Sequence, residues 1–217
     1  MPNWCENTLT VNGPAEDVQK FKQDGYLDDG QILSAEKFLP TPKEAIGKNE
    51  LKRYLSAWME QLKRAHPENP HLLDFIKECE VTDPDEFPTR EWHSWRCSFW
   101  GTKWDLCDFS ISKEEWLESD ANEITFNTAW SPHEPLFDFI AMLYPTLSFK
   151  LAYIEEGLRF SGYTIWEHGD KLERFYQDKI TREFAIEHLG YSDGYFDDMD
   201  EDELANWEGR EVVEKGA

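Results

Sequence analysis

Two tryptophans that flank a glycine, a threonine and a lysine form the stretch of this sequence best suited to binding chemistry. Trp100 and Trp104 lie four residues apart in FWGTKWD, with Lys103 between them. Indole faces stack on planar groups and attract cations, so an exposed pair could bind a base, a proline or a peptide. The alternative is a core role in which both indoles are buried, and the sequence favours that role for the pair.

We predict that these residues belong to a larger candidate binding cluster at one end of a sheet. Its aromatic members are Trp4, Trp100, Trp104 and Trp130, and its polar rim consists of Asn7, Thr102, Lys103, Asp105, Thr128 and Ser131. Asn7 would hydrogen-bond the backbone beside the first strand, with a simple turn or edge cap as the alternative.

Catalytic and metal chemistry find little support in the sequence. No phosphate-binding loop, nucleophile elbow or zinc-protease motif is present. Cys5 has no base beside it, which favours a buried thiol over a nucleophile. His93, Cys97 and Cys107 are too sparse for a zinc site, and the acidic run that begins at Asp193 does not match a calcium-binding loop. We therefore expect no metal and no cofactor, and we lean towards a protein that is not an enzyme.

The charge of the chain restricts the partners that it can attract. The 217 residues carry a net charge of −23, so free nucleic acid and anionic membranes are repelled on average, whereas a protein with a basic surface is attracted. Residues 43–64 are an exception, with an excess of cations. The four cysteines form no C-x-x-C pair, and neither a signal peptide nor an apolar span is evident, so we expect a soluble cytoplasmic protein.

Hydrophobic periodicity in the first half predicts a β-α-β unit followed by a helical insertion. Alternation over residues 6–12 predicts a strand, and Val18 and Phe21 mark a short helix. The apolar residues of 31–39 predict a second strand. Apolar residues at helical spacing then predict helices within an insertion at about 43–92.

The second half repeats the pattern and suggests the fold. Strands are predicted over 123–130, 147–155 and 158–167, with an apolar helix that begins after Ser131. Two such units predict an α+β, ferredoxin-like fold, an antiparallel sheet with helices on one face, over residues 1–170. Residues 171–217 are predicted to form an acidic extension, with one or two short helices over 172–189 and a loosely packed end.

Three stretches together resemble a known family. MPNWCENTLTVNG at 1–13, WGTKWD at 100–105 and NTAWSPHEP at 127–135 resemble, in type and order, the YubB ferredoxin-like family of uncharacterised phage and plasmid proteins. The resemblance covers about residues 1–170 and implies the fold and a mobile-element setting. It implies no activity.

Three hypotheses about function follow. The first is a non-enzymatic interaction protein that binds a host or mobile-element protein with a basic surface, for counter-defence or by mimicry of nucleic acid. The second is a single-stranded nucleic-acid-binding module, which the net charge disfavours. The third is a small-molecule-binding protein or enzyme at the tryptophan cluster.

Overall fold

The structure is a computed structural model, which describes residues 2–27, 31–41, 60, 63–64, 67, 69 and 92–208. The predicted helical insertion at about 43–92 lies almost entirely outside the described residues. The strands are β1 (Trp4–Asn12), β2 (Glu123–Ala129), β3 (Ser148–Glu155), β4 (Phe160–Glu167) and β5 (Asp170–Gln177). The helices are α1 (Ala15–Gly25), α2 (Ala35–Phe38), α3 (Trp92–Phe99), α4 (Lys113–Glu118), α5 (Glu134–Leu143), α6 (Arg182–Leu189), α7 (Asp193–Asp197) and α8 (Glu201–Glu208).

The five strands form one antiparallel sheet in the order β2-β1-β3-β4-β5. β2 and β3 flank β1 and are joined through α5, so the second half of the chain contains a split β-α-β unit. The α+β class and the antiparallel sheet with helices are confirmed.

The second strand predicted over 31–39 is wrong, because this segment contains the short helix α2. The Ser34 hydroxyl accepts a hydrogen bond from the Glu36 backbone N–H and caps the helix. Ile32, Leu33 and Phe38 are nevertheless buried. Their burial explains the apolar signal, which is shared by buried strands and buried short helices.

The main core lies between one face of the sheet and helices α1 and α5. Alternate residues of the central strands, such as Leu9 and Leu151, point into it and are fully buried. Phe21 of α1 packs against Phe149 of β3 and Phe38 of α2, with ring centroids 5.3 and 5.5 Å apart. This core fixes the position of the sheet end at which the candidate residues lie.

The opposite face of the sheet is covered by helix α6, which belongs to the extension predicted after residue 170. Ile154 lies three residues after Leu151 and therefore points to the other side of the sheet. It forms a second buried cluster with Phe184 and Leu189 of α6. Lys150, on the same side, contacts His188 of α6, with 3.0 Å between Nζ and Nδ1.

The region after residue 170 is also more ordered in its packing than the sequence predicts. Residues 170–177 form strand β5, which the sequence does not predict, whereas α6 is a short helix within the predicted range 172–189. Phe196 of α7 is 2% exposed and packs against Trp207 of α8, so the predicted loose packing is wrong as far as residue 208. The division into domains at residue 170 stays a prediction.

Candidate functional site

Three tryptophans are half-exposed at one corner of the sheet, where β1 begins and β2 ends. Trp4 and Ala129 face each other across the two strands. Trp4, Trp104 and Trp130 expose 41%, 39% and 41% of their surface. The ring centroids of Trp4 and Trp104 lie 6.1 Å apart. We call these three residues the tryptophan patch.

Trp100 differs from the patch because it is fully buried. Its indole Nε1 donates a hydrogen bond of 2.8 Å to the Leu39 carbonyl, and the Arg96 guanidinium lies 4.3 Å from its ring centre. The two tryptophans of FWGTKWD thus divide between roles: Trp100 belongs to the core and Trp104 to the surface.

The loop that carries Trp104 is fastened to the end of β2. Gly101 has a φ of +91°, a conformation that side chains rarely adopt. The Thr102 hydroxyl donates a hydrogen bond to the Ala129 carbonyl, and the Ser131 hydroxyl donates one of 2.7 Å to the Gly101 carbonyl. Both predicted rim residues therefore hold the loop in place and do not point freely to solvent.

A buried histidine supports the loop from beneath. His133 Nε2 lies 3.1 Å from the Trp104 carbonyl oxygen, and donation from Nε2 satisfies that acceptor. Burial is the main cause that lowers the pKa of His133, to about 3, with the Arg96 charge acting in the same direction. The imidazole is therefore neutral, and its hydrogen bond helps to hold the backbone of Trp104 in position. His133 is not among the predicted site residues, because one histidine at a helix start gives no distinctive signal in a sequence.

Asp105 is a helix cap. Its carboxylate accepts hydrogen bonds from the Ser34 hydroxyl at 2.7 Å, from the Ala35 N–H at 2.7 Å and from the Leu106 N–H at 2.9 Å. Burial raises the pKa of Asp105, and these donors oppose the rise. The carboxylate anchors the start of α2 against the loop.

Asn7 and Thr128 lie beneath the corner and are completely buried. The Asn7 amide donates hydrogen bonds to the Cys5 carbonyl at 2.8 Å and to the Thr128 hydroxyl at 2.9 Å. That hydroxyl donates to the Ser131 carbonyl at 2.8 Å. This network joins β1, β2 and the segment before α5, and it makes the corner rigid.

Lys103 and Trp130 show how the indoles are presented. The Lys103 ammonium lies 4.2 Å from the centre of the Trp104 ring, in a cation–π contact. Trp130 has a φ of +72°, which is unfavourable for a bulky residue, and its N–H donates to the Asn3 carbonyl at 3.0 Å. Strain of this kind persists only where the surroundings impose it, and here it accompanies a half-exposed indole.

Burial keeps two of the thiols, Cys5 and Cys107, in the protonated form. Burial raises the pKa of Cys5 well above its ordinary value, which keeps the thiol protonated. Burial also raises the pKa of Cys107, to about 11. Among the described residues, no three potential metal ligands come together, and no helix is long and apolar enough to cross a membrane.

Comparison with known proteins gives a fold assignment for the second half of the chain. No curated protein matches the sequence significantly. The crystal structure of protein api92 from Yersinia pseudotuberculosis is 10% identical, with 82% of this chain and 98% of that chain covered and a TM-score of 0.37. Residues 99–203 match the family model described as the ferredoxin-like domain in Api92-like protein. This segment, which includes Trp104, Trp130 and four of the five strands, is therefore similar to the ferredoxin-like domain of Api92-like proteins.

Proposed function

We propose that this is a non-enzymatic interaction protein that uses the tryptophan patch to bind a partner protein with a basic surface. The partner would be a host or mobile-element protein. The observation that carries the proposal is the meeting of three separate sequence motifs at one corner. Each of the three stretches that resemble the YubB family contributes one half-exposed tryptophan: Trp4, Trp104 and Trp130.

The geometry of the patch suits protein binding. Tryptophan is enriched among the residues that contribute most to binding at protein interfaces. The hydrogen bonds of Thr102, Ser131 and His133 fix the backbone that carries the indoles. A prearranged patch loses less conformational entropy on association than a flexible one.

Charge favours a basic partner. The net charge of −23 attracts cationic surfaces over distances of about a Debye length, which is ~8 Å at physiological salt. Lys103 already lies over Trp104, which shows that an indole of this patch accepts a cation. We propose that arginine or lysine side chains of the partner contact Trp4 and Trp130 in the same way.

We also propose, from the motif resemblance, that the protein is encoded by a phage or plasmid. The interaction would then serve to block a defence protein of the host. An acidic protein that occupies the basic groove of a nucleic-acid-binding defence protein would act by mimicry, with carboxylates in place of phosphates. Such binding weakens steeply as salt rises, because the attraction is screened.

The test begins with capture of proteins from a bacterial host lysate at about 20 mM and about 300 mM salt, conditions in which the screening length differs severalfold. We expect a basic protein to be retained at low salt and released at high salt. The affinity of the purified pair is then measured for the wild type and for Trp104→Ala and Trp130→Ala. Each variant should bind at least about 10-fold more weakly, a loss of about 1.4 kcal/mol or more.

Leu172→Ala is the matched control, because Leu172 is an exposed apolar residue at the far edge of the sheet, with 64% of its surface accessible. It should bind as the wild type does. Wild-type affinity in both tryptophan variants would refute the proposal. Retention of a single-stranded oligonucleotide that both variants lose would instead favour the nucleic-acid-binding alternative.

A further inference from the structure

The two edge strands of the sheet, β2 and β5, differ in how far their outer sides are covered by other parts of the described chain. The outer side of β2 is covered by residues 107–110. Cys107 and Asn127 exchange backbone hydrogen bonds of 3.0 and 2.7 Å, and the Ser110 N–H donates to the Thr125 carbonyl at 3.0 Å. β5, at the other edge, pairs with β4 alone among the described residues. An uncovered edge presents backbone donors and acceptors to any strand that can align with it.

The side chains of β5 are also exposed to solvent. The first seven of its eight residues are exposed. They include Phe175 and Tyr176, which expose 38% and 46% of their surface. Phe175 stacks on Tyr163 and Phe184 at centroid distances of 5.5 and 6.0 Å, so its ring is held in place beside the open edge.

Positively charged side chains ordinarily prevent an edge strand from pairing with another strand. Those of β5, Lys171 and Arg174, form ion pairs with helix α5. Lys171 Nζ lies 2.9 Å from an Asp138 carboxylate oxygen. The Arg174 guanidinium makes a two-pronged contact with the Glu134 carboxylate, with Nε at 3.0 Å and Nη2 at 3.0 Å. Both partners belong to α5, on one face of the sheet, which leaves the middle of the edge to Phe175.

From these features we infer that β5 pairs antiparallel with β5 of a second copy of this chain, about a twofold axis at Phe175. In this register Phe175 faces its own copy, Arg174 faces Tyr176, and Glu173 faces Gln177. No two like charges face each other. A twofold axis at Glu173 or at Arg174 would place two identical charges in contact, and an axis at Tyr176 would pair fewer residues within β5. An axis at Leu172 would bring no like charges together, but it would leave the exposed aromatic residues Phe175 and Tyr176 outside the paired segment.

The register follows the observed faces of the strand. Phe175 and Tyr163 are directly paired and lie on one side, whereas Arg174 and Tyr176 lie on the other, where the Arg174 guanidinium is 5.8 Å from the Tyr176 ring centre. Pairing would extend this cation–π contact across the axis. It would also bury both aromatic residues and join two five-stranded sheets into one.

The charge of the whole chain gives the dimer a distinctive salt dependence. Two copies that each carry −23 repel each other, so screening by salt should strengthen the self-association. The proposed binding to a basic partner has the opposite dependence. The two proposals can therefore fail independently.

Sedimentation equilibrium of the full chain tests the inference. We expect dimers whose dissociation constant falls as salt rises from about 20 mM to about 300 mM, as the screening length shortens. Phe175→Lys and Phe175→Asp should each weaken the dimer at least tenfold, because each variant places two like charges at the axis. An equimolar mixture of the two should dimerise again, since a lysine then faces an aspartate. Leu158→Lys, in the turn before β4, should dimerise as the wild type does.

Disulfide trapping tests the register without charge. Phe175→Cys should form an intermolecular disulfide readily on mild oxidation, because facing residues of antiparallel strands lie ~5 Å apart. Glu173→Cys, on the same face, would lie ~13 Å from its own copy and should not cross-link above the wild-type level. A monomer at every concentration and salt, or a dimer that both charge variants leave intact, would overturn the inference.

Discussion

His133, which is buried behind the tryptophan patch, makes the stability of the protein depend on pH. Its folded-state pKa is about 3, whereas an unfolded histidine has a pKa of about 6.5. Between these values the unfolded chain binds more protons than the folded one, so the free energy of unfolding must fall as the pH is lowered. The loss that this histidine causes between pH 7 and pH 5 is about 2 kcal/mol.

His133→Gln isolates this contribution. A glutamine amide can still donate to the Trp104 carbonyl but does not titrate. Urea unfolding at pH 7 and pH 5 should show a smaller acid-induced loss in the variant, by about 2 kcal/mol. Burial also lowers the pKa of His188, but His188 is present in both proteins and its effect cancels in the difference. If both proteins lost the same free energy of unfolding between pH 7 and pH 5, burial would not be holding His133 in its neutral form.

At the scale of single residues, the sequence predicts which residues gather but not what each one does. The predicted cluster brings Trp4, Trp104 and Trp130 to the same corner. The division between Trp100 and Trp104 could not be predicted, because helix α3 ends at Phe99 and the four-residue spacing no longer places both indoles on one face. The role of Asp105 depends on Ser34 and Ala35, some seventy residues earlier in the chain.

At the scale of elements, the turn after α3 depends on one glycine. Gly101 combines a φ of +91° with close neighbours: a Cβ built there would lie 2.7 Å from the Pro132 carbonyl oxygen and 2.7 Å from Pro135 Cδ. Gly190, at the end of α6, has a similar φ of +77° but open space around it. The two positions therefore separate backbone strain from steric conflict.

Alanine substitutions at these two positions make a matched pair. Gly190→Ala should lower the free energy of unfolding by about 1 kcal/mol, the cost of a left-handed conformation. Gly101→Ala should lower it by about 3 kcal/mol or more, because the side chain also collides with backbone that must shift. Urea unfolding monitored by circular dichroism measures both. Equal losses would show that the loop can move away from Pro132.

Long periodic elements are predicted well, and short buried ones are not. The predicted elements β1, β2, α5, β3 and β4 agree closely with the structure because each packs apolar side chains against the main core. Segment 31–39 does not, because a four-residue helix is too short to display a period. β5 is missed for the opposite reason: its side chains are exposed on both faces, so no apolar alternation remains.

At the scale of the whole molecule, the C-terminal segment packs as a second layer on the sheet. Contacts among its aromatic residues hold this layer in place although the segment is strongly negative. Residues 185–217 hold eleven acidic and two basic side chains, a composition that predicts a loosely packed end. The segment is nevertheless tied to the sheet region by two hydrogen bonds to carboxylates there. The Tyr191 hydroxyl donates to Glu6 at 3.1 Å, and Trp207 Nε1 donates to Glu156 at 2.8 Å. Net charge alone could not reveal that Tyr191, Phe196 and Trp207 pack together.

This layer should therefore unfold together with the sheet, and Phe196 is the residue that tests it. Phe196 is 2% exposed, so Phe196→Ala should lower the free energy of unfolding by about 3–4 kcal/mol while a single urea transition is kept. Tyr195→Ala is the control next to it: Tyr195 is 48% exposed, and its loss should cost much less. Tryptophan fluorescence and far-UV circular dichroism should report the same midpoint for each protein. Two separate transitions, with only the weaker one shifted by Phe196→Ala, would instead support a boundary near residue 170 between independently unfolding parts.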